Sequence, residues 1–402
     1  MAKHFKNSND NPVNAPKVDN AYNPMPVVNN TNAREARQAK SREAFGSTHG
    51  GKQPLTQKQF AMRVIFGILG VSIAIMVGLF AYGMYFVHSL NNSLGFDNEQ
   101  IIKDLQDTLH DSSDDSAFYV ALLGSDAREG DYTSRADVNM LMRVDMDSKT
   151  ISLVSIPRDM QINFAGQGVC KINAAYAYNG PVGAVTALQD FAGVDISHYA
   201  EIHFDELVNL IDLLGGVEVN VPESFNADGH MIYSGLQTLS GEDALAFTRN
   251  RYQSVAGDFG RAQAQRIVVE AIINKVLNQS PLDMPSIITS VASCFSTDLT
   301  VEDIVDLALE FQGSDYSIYS AICPSYAFNE NGVSYVGVMY DEWHSMMCYV
   351  DAGMDPLSTE AIPQEQLNDK KLGSASNGAS TRDYESAVAN SGLTTDAVVS
   401  VD

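Results

Sequence analysis

Among its four cysteines, Cys170, Cys294, Cys323 and Cys348, the chain has no C-x-x-C pair and no clustered His/Cys spacing. That absence argues against a thiolate zinc site and leaves structural thiols or disulfides, whose pairing the spacing does not choose. No segment repeats at a fixed period, which sets aside solenoids and propellers. Basic residues are scarce, 25 Lys and Arg against 50 Asp and Glu for a net charge of −25. With no recognisable nucleic-acid-binding fold, a nucleic-acid partner is not expected. Lysine and arginine vanish from residues 172–248 and again from 276–369, and all charge vanishes from residues 64–87.

The uncharged run is 24 residues long, enough to cross a bilayer core of roughly 30 Å at about 1.5 Å per helical residue. Lys52, Lys58 and Arg63 precede it, while Asp97, Glu99 and Asp104 follow. Positive charge stays on the cytoplasmic side, so the amino terminus is expected in the cytoplasm and everything after about residue 88 outside. The sequence therefore predicts a single-pass protein of the cell membrane with an extracellular domain, held by residues 64–87. Cysteines on that outer side sit where oxidising conditions permit disulfides.

Residues 1–59 are rich in Asn, Pro, Ala and charge without apolar periodicity, and are expected to be a disordered cytoplasmic tail. Residues 60–88 then carry the span, 89–116 a juxtamembrane linker, 117–355 the extracytoplasmic domain and 356–402 a disordered acidic tail. Apolar strand-like runs (118–123, 138–144, 150–156, 199–204, 217–221) alternate with helical patterns (183–191, 205–214, 241–248, 260–277). This alternation argues for an α/β sandwich around a central sheet. Capping boxes at Ser240-Gly-Glu-Asp243 and Thr300-Val-Glu-Asp303 mark two helix starts, and Asn329-Glu-Asn-Gly332 marks a turn between strands.

The few outer cations are clustered. One set reads Gly124-Ser-Asp126-Ala-Arg128, Ser134-Arg135-Ala-Asp137, Ser155-Ile-Pro-Arg158-Asp159 and Lys171-Ile-Asn173. The other reads Arg249-Asn-Arg251 and Asp258-Phe-Gly-Arg261-Ala-Gln-Ala-Gln265, where Asp258, Arg261 and Gln265 share one helix face. Ligands of α/β sheets gather at the carboxyl ends of strands, where Asp126, Arg128, Arg158 and Asp159 stand. Arginine forks grip phosphate bidentately, and one or two carboxylates beside them suit a hard divalent cation, Mg²⁺ or Mn²⁺, shared with a diphosphate. The competing reading is a set of ion pairs that orient loops.

Taken in order, and with Leu213-Leu-Gly-Gly-Val217 and Ala244 to Arg251, these elements resemble the LytR-CpsA-Psr family over roughly residues 117–280. The resemblance implies a three-layer α-β-α sandwich around a central mixed sheet, preceded by one transmembrane helix. It implies that Asp126 and Asp137 help hold the metal, with Arg158 central to catalysis. Arg128, Arg135, Arg158, Arg249, Arg251, Arg261 and Gln265 would meet the diphosphate, and Asp159, Lys171, Asn173 and Asp258 would support them. Many relatives carry one more basic residue where this chain has Ala264, which puts one phosphate contact in question, and the cysteines are unusual for the family.

The implied reaction moves a glycopolymer from a polyprenyl diphosphate carrier to a peptidoglycan sugar hydroxyl, forming a phosphodiester. A lipid tail would enter apolar space between sheet and helices. Asp159, Asp258 and a metal-linked water all stay open as the proton acceptor. Two alternatives also stay open: pyrophosphate hydrolysis at the same site, and a non-catalytic receptor for polyprenyl diphosphates.

Overall fold

The computed structural model describes residues 99–110, 116–125, 135–227, 230–250 and 258–375, with Ile75 and Gly78. The expected tail over 1–59 and the rest of the 64–87 span lie outside the described residues, among which no helix is long and apolar enough to cross a membrane.

Six strands form the central sheet: β1 (Ala117–Ser125), β2 (Ala136–Asp145), β3 (Thr150–Ser155), β6 (Ile196–His203), β11 (Ser296–Thr297) and β12 (Ser317–Ile322). Their order is β11-β6-β1-β2-β3-β12. β1 runs parallel to β6 and β3 parallel to β12, while the remaining neighbours are antiparallel, so the sheet is mixed. β3 is buried at every position, as a strand covered on both faces must be.

Alternation along β1 shows what covers each face. Tyr119, Ala121 and Leu123 join a core with α2 (Ala174–Ala192) and α8 (Tyr340–Asp351). Phe118 and Leu122 turn the other way, toward α5 (Asp258–Leu277), α6 (Met284–Val291) and α7 (Val301–Phe311). A third cluster packs α3 (Phe204–Leu213) and α4 (Gly241–Arg249) against the small sheet of β7 (Val217–Val221) and β10 (Gly235–Leu239).

Local signals account for the element ends. Thr300 accepts from the Asp303 amide at 3.1 Å while the Asp303 carboxylate reaches back to the Thr300 amide at 2.9 Å, closing the first turn of α7. Ser240 does the first half of this for α4, accepting from the Asp243 amide at 3.3 Å. Asn331 (φ 50°) and Gly332 (φ 82°) make the two-residue turn joining β13 (Ser325–Glu330) to β14 (Val333–Val338).

Three expectations are corrected. α2 begins at Ala174 rather than Gly183; Asn179-Gly180-Pro181 reads as a breaker, but Gly180 at φ 55° kinks the chain and the helix resumes. Part of the expected linker is α1 (Glu99–Thr108), whose Leu105 is 1% exposed in the core. Residues 356–375, expected to begin a disordered tail, pack on the domain: Leu372 is buried and the Gly373 amide donates to the Ala192 carbonyl at 2.7 Å. A few anchoring contacts outweigh the polar composition there. All four cysteines are free thiols.

Candidate active site

At the carboxyl end of β1 the register with β2 slips. Gly124 pairs with Val138 and Ser125 with Ala136, leaving Asp137 as an extra residue. Such a bulge re-aims a side chain, and a Cβ on Gly124 would stand 2.7 Å from Val138 Cγ2, so a glycine suits the close crossing. Asp137 Oδ1 accepts from Arg158 Nη1 at 2.6 Å.

Arg158 lies in the loop after β3, which is tied to the hairpin of β4 (Gln161–Phe164) and β5 (Gly168–Lys171). The Asn173 amide donates to the Arg158 carbonyl at 3.2 Å and the Ile172 amide to the Met160 carbonyl at 2.8 Å. Arg158 Nε also faces Asp258 Oδ2 at 3.4 Å and Asp159 Oδ1 at 3.9 Å. Asp258 opens α5, where the helix dipole favours an anion, and its Oδ2 accepts from Arg261 Nη2 at 3.1 Å one turn on. Lys171 Nζ lies 3.1 Å from Asp159 Oδ2. Three cations and three carboxylates from four segments thus meet in one network.

Burial disfavours the Arg158 charge, but the hydrogen bond and charge of Asp137, then the charges of Asp258 and Asp159, raise its pKa above the ordinary arginine value. It is a fixed cation. Arg249 closes α4 with its guanidinium over the Phe204 ring, 4.5 Å from the centroid. Arg135 is exposed just ahead of β2, outside the network. Asn173 is 2% exposed, and its Oδ1 has no hydrogen-bond partner among the described residues. Asp126, Arg128 and Arg251 lie outside the described residues.

A cavity of about 360 Å³ lies between the sheet and α5, lined by apolar side chains that include Leu122, Met142, Leu207, Val268, Ile272 and Phe311. Glu201, Thr248 and Gln265 are polar exceptions in that lining. Thr248 adjoins Arg249, and Gln265 lies one turn along α5 from Arg261.

Among the described residues no three His, Cys, Asp or Glu side chains are grouped to hold a metal by themselves. Asp137 nevertheless offers hard carboxylate oxygen, and Mg²⁺ is commonly held by one or two carboxylates plus phosphate oxygens. The donor set therefore fits a cation shared with phosphate rather than a closed protein cage.

The LytR_cpsA_psr family model matches residues 84–348. The chain belongs to the LytR-CpsA-Psr family. An Enterococcus faecalis relative named polyisoprenyl-teichoic acid–peptidoglycan teichoic acid transferase TagU is 32% identical over 68% of this chain and 90% of its own length. The Bacillus licheniformis protein of that name is 34% identical over 62% of this chain and 82% of its own. Among solved structures, Bacillus subtilis TagV is 26% identical with a TM-score of 0.50, covering 56% of this chain and 92% of that one. An Enterococcus faecalis protein described as a transcriptional regulator is 26% identical with a TM-score of 0.52, covering 65% and 96%. The mixed α/β fold of this LytR-CpsA-Psr protein is thus the fold of its relatives.

One polar group in this LytR-CpsA-Psr domain escaped the sequence reading. Glu201, 1% exposed in β6, accepts at Oε1 from Ser125 Oγ at 3.0 Å and Tyr176 Oη at 2.6 Å, and Ser125 Oγ also lies 2.8 Å from His203 Nδ1. A lone acid inside the apolar run 199–204 was the available signal.

Proposed function

We propose that the chain is a membrane-anchored transferase that moves a glycopolymer from a polyprenyl diphosphate carrier to a peptidoglycan sugar hydroxyl. The observation that carries this reading is the junction of two environments. Arg261 of the network stands one turn from Gln265, and Arg249 adjoins Thr248; Gln265 and Thr248 both line an apolar cavity. A diphosphate joined to a long hydrocarbon chain has that same division between charged head and apolar tail. The names of the relatives support the reaction class.

In the proposed step the acceptor hydroxyl oxygen attacks the phosphorus that bears the glycan. The bond from that phosphorus to the bridging oxygen breaks, polyprenyl phosphate leaves with the electron pair, and the hydroxyl proton passes to base or water. Arg158, already paired with Asp137 and Asp258, would turn part of its fork to phosphate oxygens as charge builds on them. Arg261 and Arg249 would hold the diphosphate at the cavity, with Arg128, Arg135 and Arg251 adding contacts to it and Lys171 keeping Asp159 in place. Asp137, with Asp126, would hold Mg²⁺, which supplies neutralising charge when bound. Residues 64–87 would anchor the chain with this domain outside the cell.

The test incubates the full chain in detergent with a polyprenyl diphosphate sugar, with and without Mg²⁺ and a peptidoglycan acceptor. Metal-dependent release of polyprenyl phosphate with glycan joined to the acceptor is expected. Tight carrier binding without turnover under any metal would overturn the transferase in favour of a receptor, and release without joined glycan would make it a pyrophosphatase.

A further inference from the structure

Two side chains of β6 meet one buried hydroxyl of β1, and a third side chain, from α2, meets one of those two. Ser125 is 0% exposed and ends β1; its Oγ lies 3.0 Å from Glu201 Oε1 and 2.8 Å from His203 Nδ1, both on β6. Tyr176, in the first turns of α2 and 1% exposed, donates to the same Glu201 oxygen at 2.6 Å. Ser125 has one proton to give. When it goes to Glu201, the serine oxygen accepts from His203, and both contacts are satisfied without rearrangement.

The position of this hydroxyl gives the network its consequence. Ser125 is the residue at which pairing with β2 slips, so that Asp137 becomes the extra residue of the bulge and reaches Arg158 at 2.6 Å. A bulge is a local choice between two registers. Were Ser125 free to slide by one residue, it would face Asp137 and the carboxylate would turn away from Arg158.

We propose that Glu201, with Tyr176 and His203, is a positioning residue: by fixing the Ser125 hydroxyl it holds the β1–β2 bulge in the register that aims Asp137 at Arg158. The acceptor geometry of Glu201 is the working feature, not its charge. Glu201 Oε2 has no hydrogen-bond partner among the described residues, and both observed bonds use Oε1. Glutamine keeps that acceptor, whereas methionine keeps the length and removes it. The catalytic consequence rests on the transferase reading above; the structural one does not.

The test compares wild type, Glu201→Gln, Glu201→Met and Ser125→Ala as full chains, reading amide hydrogen exchange in residues 136–138 and, separately, carrier affinity and turnover. Expected is exchange about tenfold faster at 136–138 in Glu201→Met and Ser125→Ala, with the sheet elsewhere unchanged and Glu201→Gln like wild type. Turnover should fall about tenfold in the same two variants, and Ser125→Ala, whose side chain does not line the cavity, should keep its carrier affinity. In an Asp137→Asn background Glu201→Met should add no further loss, because the carboxylate it aims is gone. Unchanged exchange at 136–138, a rise across the whole domain, or an equal turnover loss in the Asp137→Asn background would each overturn the proposal. A wild type that binds carrier and transfers nothing defeats the transferase reading and leaves the exchange measurement to decide this one.

Discussion

Asp137 and Arg158, joined at 2.6 Å, come from the same end of an antiparallel strand pair: Asp137 enters β2 and Arg158 follows β3. Antiparallel pairing brings the start of one strand beside the end of the next, and the bulge directs the carboxylate. The contact is partly shielded, with side-chain exposures of 17% for Arg158 and 23% for Asp137. Its value to the fold is therefore about 1 kcal/mol or less.

For that reason Arg158→Ala should cost far more activity than stability. The expected loss of turnover is about a hundredfold or more, with the melting temperature moved by only a few degrees. Arg158→Lys should fail to restore turnover, since an ammonium lacks the fork that meets Asp137 and Asp258 at once. Steady-state kinetics beside calorimetry checks both, and wild-type turnover in either variant would remove Arg158 from the chemistry.

Filling the cavity should separate carriers by tail length. Ile272→Trp places extra volume against Val268 and Leu207, at an overpacking cost of about 1–3 kcal/mol. The KM for a long polyprenyl carrier should rise at least about tenfold, while a carrier with a very short tail is affected little. Equal losses for both would mean that the tail does not enter this space.

Stability should fall with rising pH through Glu201. Burial pushes its carboxyl above 4.5, outweighing the Tyr176 hydrogen bond, the His203 charge and the Ser125 hydrogen bond that pull it down. A carboxyl with a raised folded pKa binds its proton more tightly in the native state. Its contribution is therefore complete below the unfolded value and is lost as pH climbs through the folded one. Denaturant titrations of wild type and Glu201→Gln from about pH 4.5 to about pH 8 should show the glutamine variant gaining relative stability as pH rises. A constant difference would contradict the burial argument.

The thiols should react in two classes. Cys170 is partly exposed, whereas Cys294, Cys323 and Cys348 are buried, and burial raises the Cys323 pKa well above its ordinary value. A thiol reagent should modify Cys170 first and the other three only after denaturation, for four labelled positions without prior reduction. Fewer than four would reveal a disulfide.

Much of this was legible in the sequence. The strand runs at 118–123, 138–144 and 150–156 fall within β1 and β2 and along β3, since a period of two or a continuous apolar run states burial directly. The grouping of Asp137, Arg158, Asp159, Lys171, Asp258 and Arg261 was foreseeable because each stands at a strand or helix end. The bulge at Asp137 was not, because register is a relation between two strands and neither carries it alone. Glu201 was missed for a similar reason: its partners Ser125 and Tyr176 lie 76 and 25 residues away. α2 was shortened because Pro181 looks the same whether a helix ends or kinks.

The pairing of β3 with β12 sets the order in which this chain can mature. Thr150 is joined to Ser317 across more than a hundred intervening residues, so while synthesis proceeds from the amino end β3 waits with one flank unpaired until residue 322 has emerged. Such distant pairing is slow, and an unpaired apolar flank invites other chains. Fragments ending before Ser317 keep Asp137, Arg158, Asp258 and Arg261 yet lack the strand that closes the sheet. They should collect in inclusion bodies, whereas chains extended through Leu372 should stay dispersed.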